Sequence, residues 1–277
     1  MNYSSTSFIF PLSFFTYDSL ILLDLRFDLA VIAKFIIPNT IYFPNLKILR
    51  LESLQFLNEI TSTRKFFSNC PILEKLSLTF CDIFERLRIG HPTLKHLAIT
   101  YCGFTESTVE IDAPILLTIS YTGEPATDFL LGSFPSLVEA TVNLNIQDFE
   151  EYDDPNKVFV KIFEELSSEK LLKICADSFL SVKITCVEDE DCWSLDPKCL
   201  PPHLKVIKFK IFEGHSMELN AINLFLKYVQ FLECVTIVAS LRLFEDHLEQ
   251  NSVIKQLLMF PKPPNCVVKF LTSSSDT

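Results

Sequence analysis

Residues 43–51 read Phe43-Pro44-Asn45-Leu46-Lys47-Ile48-Leu49-Arg50-Leu51, and the fold turns on this stretch. With Pro44 as position zero, leucines fall at positions two, five and seven. The unit returns from Cys70 as C-P-I-L-E-K-L-S-L, with Leu73, Leu76 and Leu78 in the same places. It returns from His91 as H-P-T-L-K-H-L-A-I, with Leu94, Leu97 and Ile99. Weaker copies follow Pro114 (Leu116, Ile119, Tyr121) and Pro135 (Leu137, Ala140, Val142). A distant copy follows Pro202 (Leu204, Ile207, Phe209). An N-terminal copy puts Asp18 in the proline's place (Leu20, Leu23, Leu25).

The spacing has a physical meaning. Positions five and seven are two apart, so on a strand they point to the same side. Position two closes the turn before that strand, and the proline holds the residue ahead of it extended. One such unit cannot bury these side chains alone; stacked units share a core. The prolines from Pro44 to Pro135 are 27, 21, 22 and 21 residues apart. Those intervals fall in the range of roughly 20–29 residues typical of leucine-rich repeats. The fold expected is therefore α/β: a leucine-rich-repeat solenoid, with a curved parallel sheet and short helices or irregular segments outside it. The segment Glu59 to Asn69 reads as one such helix, with Phe66 and Phe67 inward.

The pattern changes after Asn145. Residues 148–154 are acidic, and Pro155 opens a helical pattern over Asn156 to Leu166, with Val158, Ile162, Phe163 and Leu166 on one face. Leu171 to Ile174 reads as a short strand, yet no clear copy of the unit lies between Pro135 and Pro202. The C-terminal part reads β-α-β-α-β and caps the solenoid. Its strands are Leu204–Phe212, Cys234–Val238 and Cys266–Leu271. Its helices are Ala221–Tyr228, with Ile222, Phe225, Leu226 and Val229 apolar, and Glu245–Met259, with Leu248, Ile254, Leu257 and Leu258 inward. Pro261, Pro263 and Pro264 stop the second helix. The organisation expected is a solenoid at 1–146, degraded or shortened repeats with acidic loops at 147–198, the capping region at 199–271 and a polar tail at 272–277.

Composition narrows the function. Apolar residues make up 48% of the 277, Phe is abundant (26) and Gly is scarce (5). Few glycines argue against phosphate-cradling loops. The net charge is −11 without a long basic run, so nucleic acid is not an expected partner. No apolar run is long enough to span a membrane; Asp18, Asp24, Arg26 and Asp28 interrupt the best candidate. The apolar N-terminus has neither a basic n-region nor a small-residue cleavage site. The nine cysteines include no Cys-x-x-Cys pair, and the Cys186, Cys192, Cys199 and His203 cluster is spaced too loosely for zinc. No metal and no cofactor are expected, and reduced thiols place the chain in the cytoplasm or nucleus. The five histidines are scattered without a nucleophile pattern, so an enzyme is not expected. Cys81 and Cys102, both at position ten, read as buried structural residues.

Several phrases resemble plant F-box/leucine-rich-repeat proteins that end in an FBD domain. F-F-T-Y-D-S-L-I-L-L-D-L, from Phe14, is similar to that family's LFT-C-x-T-L-V-x-L-K-L unit, and N-C-P-I-L-E-K-L-S-L to its C-P-x-L-E-x-L unit. E-D-E-D-C-W-S, C-L-P-P-H-L-K, N-L-F-L-K-Y and L-L-M-F-P-K-P-P-N-C-V-V-K-F, in that order, resemble the FBD domain. The family's F-box docks the adaptor of a cullin–RING ubiquitin ligase. No such segment is read here, the ten residues before Pro11 being too few, so ligase-adaptor binding is not expected. The resemblance implies the target-recognition part of such a protein. An interaction scaffold unrelated to ubiquitination, or a truncated product without independent function, is the alternative.

A partner's place follows from the strand. Positions five and seven face the core, so positions four, six and eight face the concave surface. Arg50, Glu52, Lys75, His96 and Glu139 stand at those positions and are expected to dock a protein partner.

Overall fold

The computed structural model describes residues 7–8, 17–28, 33–35, 41–56, 66–144, 171–175, 200 and 203–271. The expected helix at 156–166, the first part of that at 59–69, both acidic runs, Cys186, Cys192, Cys199 and the polar tail lie outside the described residues. The chain divides into two compact units, Met1–Leu137 and Val138–Thr277.

The first unit contains, in chain order, β1 (Ser7–Phe8), β2 (Leu22–Arg26), β3 (Ala33–Phe35), β4 (Ile48–Glu52), β5 (Leu54–Phe56), β6 (Lys75–Thr79), β7 (Asp82–Gly90), β8 (His96–Thr100), β9 (Gly103–Asp112), β10 (Thr118–Gly123) and β11 (Asp128–Leu131). The even-numbered strands pair in order as one parallel sheet. They carry the repeat, and its positions meet like for like: Leu23, Leu49, Leu76, Leu97 and Ile119 form one register row, all at position five. These residues, and Leu51, Leu78, Ile99 and Tyr121 at position seven, are buried. Position two is buried as well (Leu46, Leu73, Leu94, Leu116). Its N–H closes the turn onto the carbonyl three residues back, as in Leu46 to Phe43 (3.3 Å) and Leu73 to Cys70 (3.0 Å). The residue before the proline is buried too: Phe43, Cys70, His91, Ala113 and Phe134.

The odd-numbered strands form a second parallel sheet. Here the structure departs from the expected short helices or irregular segments outside the first sheet. Among the described residues of this unit only 66–68 are helical, where Phe66 and Phe67 are buried as expected. The reason is room and composition. An interval of 21 or 22 residues holds two strands and two turns but little helix. The outer segments also place β-branched and aromatic residues inward: Ile83, Val109, Ile111 and Phe129 are buried. Rings join the two sheets, Tyr121 meeting Phe129 edge-on at 5.3 Å.

The chain passes between the sheets at position nine. Ser53, Phe80 and Tyr101 have φ of 58°, 50° and 49°, and Gly123 has 127°. Each of the first three donates its N–H to the position-eight carbonyl of the next repeat: Ser53 to Thr79 (2.9 Å), Phe80 to Thr100 (2.9 Å), Tyr101 to Thr122 (2.6 Å). That bond continues the ladder by one rung while the left-handed residue turns the chain outward. Such a conformation costs about 1–2 kcal/mol for a residue with a side chain, and Phe80 and Tyr101 offset part of it by stacking at 5.5 Å.

The second unit runs β12 (Glu139–Leu144), β13 (Leu171–Cys175), β14 (Val206–Phe212), α1 (Ser216–Tyr228), β15 (Cys234–Ala239), α2 (Leu241–Glu245), α3 (His247–Met259) and β16 (Val267–Leu271). Its strands pair in that order, all parallel. The expected β-α-β-α-β order is present from β14 onward, with Ile222, Phe225, Leu226 and Val229 buried. Ile211 takes the left-handed position (φ 56°) and makes a bulge between Phe209 and Phe212. Glu218, wholly buried, accepts the N–H groups of Glu213 (3.1 Å) and His215 (2.7 Å) and so fixes the turn into α1. The helix expected at 245–259 is present as α3, starting at His247 because Asp246 ends α2 and caps α3 by accepting the N–H groups of Leu248 and Glu249. The buried face of α3 differs from the expected one. Leu248 and Leu258, read as inward, are 85% and 74% exposed, Ile254 is half-buried, and Leu243, Val253 and Leu257 fill the core.

Two stability measurements check this packing. Leu97→Ala removes a fully enclosed side chain and is expected to cost about 2–5 kcal/mol in denaturant unfolding, whereas Leu248→Ala stays within about 0.5 kcal/mol; equal losses would contradict the assigned faces. Ile211→Asn replaces a β-branched residue by one that tolerates positive φ, and is expected to stabilise by about 1 kcal/mol; a loss of that size would mean the left-handed turn is not strained.

Candidate functional site

Parallel, in-register pairing turns each repeat position into a row across the first unit's sheet. Row four is Leu22, Ile48, Lys75, His96, Thr118. Row six is Asp24, Arg50, Ser77, Ala98, Ser120, and row eight is Arg26, Glu52, Thr79, Thr100, Thr122. All of these side chains are half-buried or exposed, while five and seven between them are buried, save Leu25 of β2, which is half-buried. The open face is charged at its β2–β4 edge and small and hydroxyl-rich toward β10.

At the charged edge Arg26 grips Asp24 with two bonds, Nε to Oδ1 at 2.8 Å and Nη2 to Oδ2 at 3.0 Å. This holds the Asp24 carboxyl below the usual carboxylate range. Arg50 reaches the same carboxylate at 3.5 Å, and Glu52 lies 3.7 Å from Arg26. The Asp24 and Arg26 side chains were not among the expected docking residues; their register beside Arg50 and Glu52 was the available signal. Further in, Arg50, Lys75 and His96 line a shallow depression of about 220 Å³ with Ser77, Ala98 and Ser120. His96 shares a 2.9 Å hydrogen bond with Thr118 Oγ1. Burial holds the His96 imidazole below its ordinary range, and the Lys75 and Lys95 ammonium groups push the same way against Glu74.

The structure thus brings Arg50, Lys75 and His96 together and puts Glu52 in the neighbouring ion cluster. Glu139 belongs to the second unit, where it pairs with Lys173 on the adjacent strand at 2.7 Å. The position-three residues form a further ladder of opposite charges: Lys47 and Lys95 flank Glu74 at 3.9 and 3.1 Å.

The other titratable groups serve the fold. His91 is buried at the turn, with Nε2 2.9 Å from the Cys70 carbonyl, and burial lowers its pKa. Cys70, Cys81, Cys102, Cys234 and Cys266 are free thiols. Burial pushes Cys70 up to about 12, and a bond to Cys102 together with burial raises Cys81. Cys81 and Cys102 are buried and donate to strand carbonyls, the role expected for position ten. Among the described residues no group of His, Cys, Asp and Glu is arranged to hold a metal ion, and no helix is long and apolar enough to cross a membrane.

A unit of parallel strands with leucines recurring at matched positions is a leucine-rich-repeat structure. A family model described as "FBD-associated F-box protein At5g56370, LRR repeats" matches residues 2–128. The similarity to plant F-box/FBD/LRR-repeat proteins lies in these repeats. It is 31% identical over 166 residues to the putative F-box/LRR-repeat protein At3g59230 of Arabidopsis thaliana, which covers 56% of this chain and 33% of that protein. It is 32% identical over 149 residues to the F-box/LRR-repeat protein At4g14096 of the same plant, covering 52% and 31%. It is 25% identical over 184 residues to the putative F-box/FBD/LRR-repeat protein At3g59240, also of that plant, covering 64% and 36%. The chain spans about a third of the length of these curated relatives. No solved structure matches it.

The electrostatics of the open face are open to titration. With Lys75→Gln a positive neighbour is lost, protonation becomes easier, and the His96 pKa measured by NMR is expected to rise toward about 6.5; an unchanged value would remove Lys75 from the site's field. His91 and His96 both lie below their unfolded value, so the unfolded chain binds more protons at acid pH. Stability is therefore expected to fall as pH drops below about 6.5.

Proposed function

We propose that this chain is the target-recognition part of an F-box-type ubiquitin-ligase adaptor, a non-catalytic protein–protein interaction module whose repeats stack as a solenoid. One observation carries the reading: from β4 to β10, positions five and seven are buried and apolar or aromatic, while positions four, six and eight are open and varied. A surface kept exposed along parallel strands, with its side chains free to differ, suits the docking of another protein. Arg50, Glu52, Lys75 and His96 do this on the first unit, and Glu139 contributes on the second, taken by itself. Adaptor docking is assigned to no residue of this chain. The region 199–271 is FBD-like, a reading supported by the phrases quoted above and by the relatives whose names carry FBD. Residues 1–146 form the solenoid and 147–198 a degraded stretch between the two. The compartment proposed is cytoplasm or nucleus, and no membrane or nucleic acid is a partner.

Proteins crosslinked to the chain in plant extract test this. The double reversal Arg50→Glu/Lys75→Glu is expected to reduce capture of a docked partner at least tenfold. Arg88→Glu, on β7 of the outer sheet and paired there with Glu110 at 2.9 Å, is expected to leave capture unchanged. Equal capture by all three forms would exclude the open face. The captured partner's half-life then separates the roles: lengthened when the chain is removed for a ligase part, unchanged for a scaffold unrelated to ubiquitination.

A further inference from the structure

We infer that the depression at the centre of the first unit's open face receives one carboxylate side chain, an Asp or Glu, from the docked protein. The inference rests on the docking reading and adds the chemistry of what docks. Arg50 and Lys75 border the depression, and among the described residues no carboxylate lines it. That is notable in a chain with 35 acidic and 24 basic residues. The floor is made of small row-six residues, Ser77, Ala98 and Ser120, so a side chain can approach the strands closely.

The charges decide between a monoanion and a dianion. Arg50 is shared with Asp24 at 3.5 Å, and Asp24 is already held by Arg26 at 2.8 Å. Lys75 is exposed, and among the described residues no ion pair holds it. The site thus offers one whole positive charge and part of a second. A carboxylate matches that; a phosphate at neutral pH carries nearly twice the charge. The remaining groups suit a carboxylate as well. The Ser77 and Ser120 hydroxyls line the depression as donors. With His96 Nδ1 engaged by Thr118, its other ring nitrogen is left for a ligand. Burial, and then the Lys75 and Lys95 ammonium groups, hold the His96 imidazole below its ordinary range, with Glu74 opposing, and Thr118 bonds to it from the next strand. An anion entering the depression would offset the two ammonium groups' part of that effect.

Methyl NMR tests this, because the Ile48 and Ala98 methyl groups line the depression. The probes are N-acetyl-glutamate N-methylamide, its glutamine counterpart and inorganic phosphate, each titrated at fixed ionic strength. Saturable shifts with the glutamate probe alone, weakened at least tenfold by Lys75→Glu and abolished by Ala98→Leu, are expected. Ala98→Leu fills the depression without touching its charge, so the test survives a charge variant that fails to fold. Equal binding of the glutamine probe would overturn the inference, as would phosphate binding tighter than the carboxylate. Loss of partner capture in the Arg50/Lys75 reversal with no carboxylate binding would leave docking standing and overturn this inference. Carboxylate binding without any captured partner would support the site and overturn docking.

Discussion

Everything in the first unit depends on one shared hydrogen bond at the start of each inner strand. Two successive N–H groups, at positions three and four, converge on the position-three carbonyl of the preceding repeat. Lys47 and Ile48 meet Ile21 at 2.9 and 3.1 Å, Glu74 and Lys75 meet Lys47 at 2.9 Å each, Lys95 and His96 meet Glu74 at 2.9 and 3.0 Å, and Leu117 and Thr118 meet Lys95 at 2.8 and 3.1 Å. The same pair recurs in the second unit, where Glu233 and Cys234 meet Lys205 at 2.7 and 3.1 Å. A slip of one residue would break this bond and turn every core leucine to solvent. The register is therefore not a consequence of leucine packing alone; the backbone and the core specify it together.

What the sequence shows of this fold follows from what the register must repeat. The inner strands are legible because positions two, five and seven each have one apolar task, and Leu, Ile or Val performs it in every strong copy. The outer strands are not legible in that way. They run from the two residues of β1 to the ten of β9, so no fixed offset from the proline marks them. β13 shows how little signal a working repeat needs. Leu172 and Ile174 are buried in positions five and seven and pair on both sides, yet position two is Glu169 and the unit is unrecognisable as a copy. β15 is a repeat unit recognised only as a strand: Leu232, Val235 and Ile237 hold positions two, five and seven from Gln230. In α3 the apolar positions outnumber the buried ones: Val253 and Leu257, four apart, face the core, while Leu248 and Leu258 stand off that face and are exposed.

The candidate site was more legible than the sheet around it, for the same reason. Alternation along a strand assigns faces without knowledge of the tertiary fold, so Arg50, Lys75 and His96 were placed on the open side by counting alone. Counting could not foresee the depression. It arises because three successive copies put Ser77, Ala98 and Ser120 at position six, and smallness becomes a cavity only when a ladder brings the three side by side.

This separation of tasks explains how a single repeat can hold a fold and vary a function. Substitution at five or seven removes a buried side chain from a core with no slack. Substitution at four, six or eight changes one element of a row and leaves the ladder intact. A charge introduced at position six of one repeat then stands about 5 Å from the same position of the next, close enough for rows, not single residues, to set the local potential. The Asp24, Arg26, Arg50 and Glu52 cluster is such a neutralised row segment. The stretch beside it, with Lys75 in no ion pair among the described residues and above a small-residue floor, is where the inferred carboxylate would answer the row's charge.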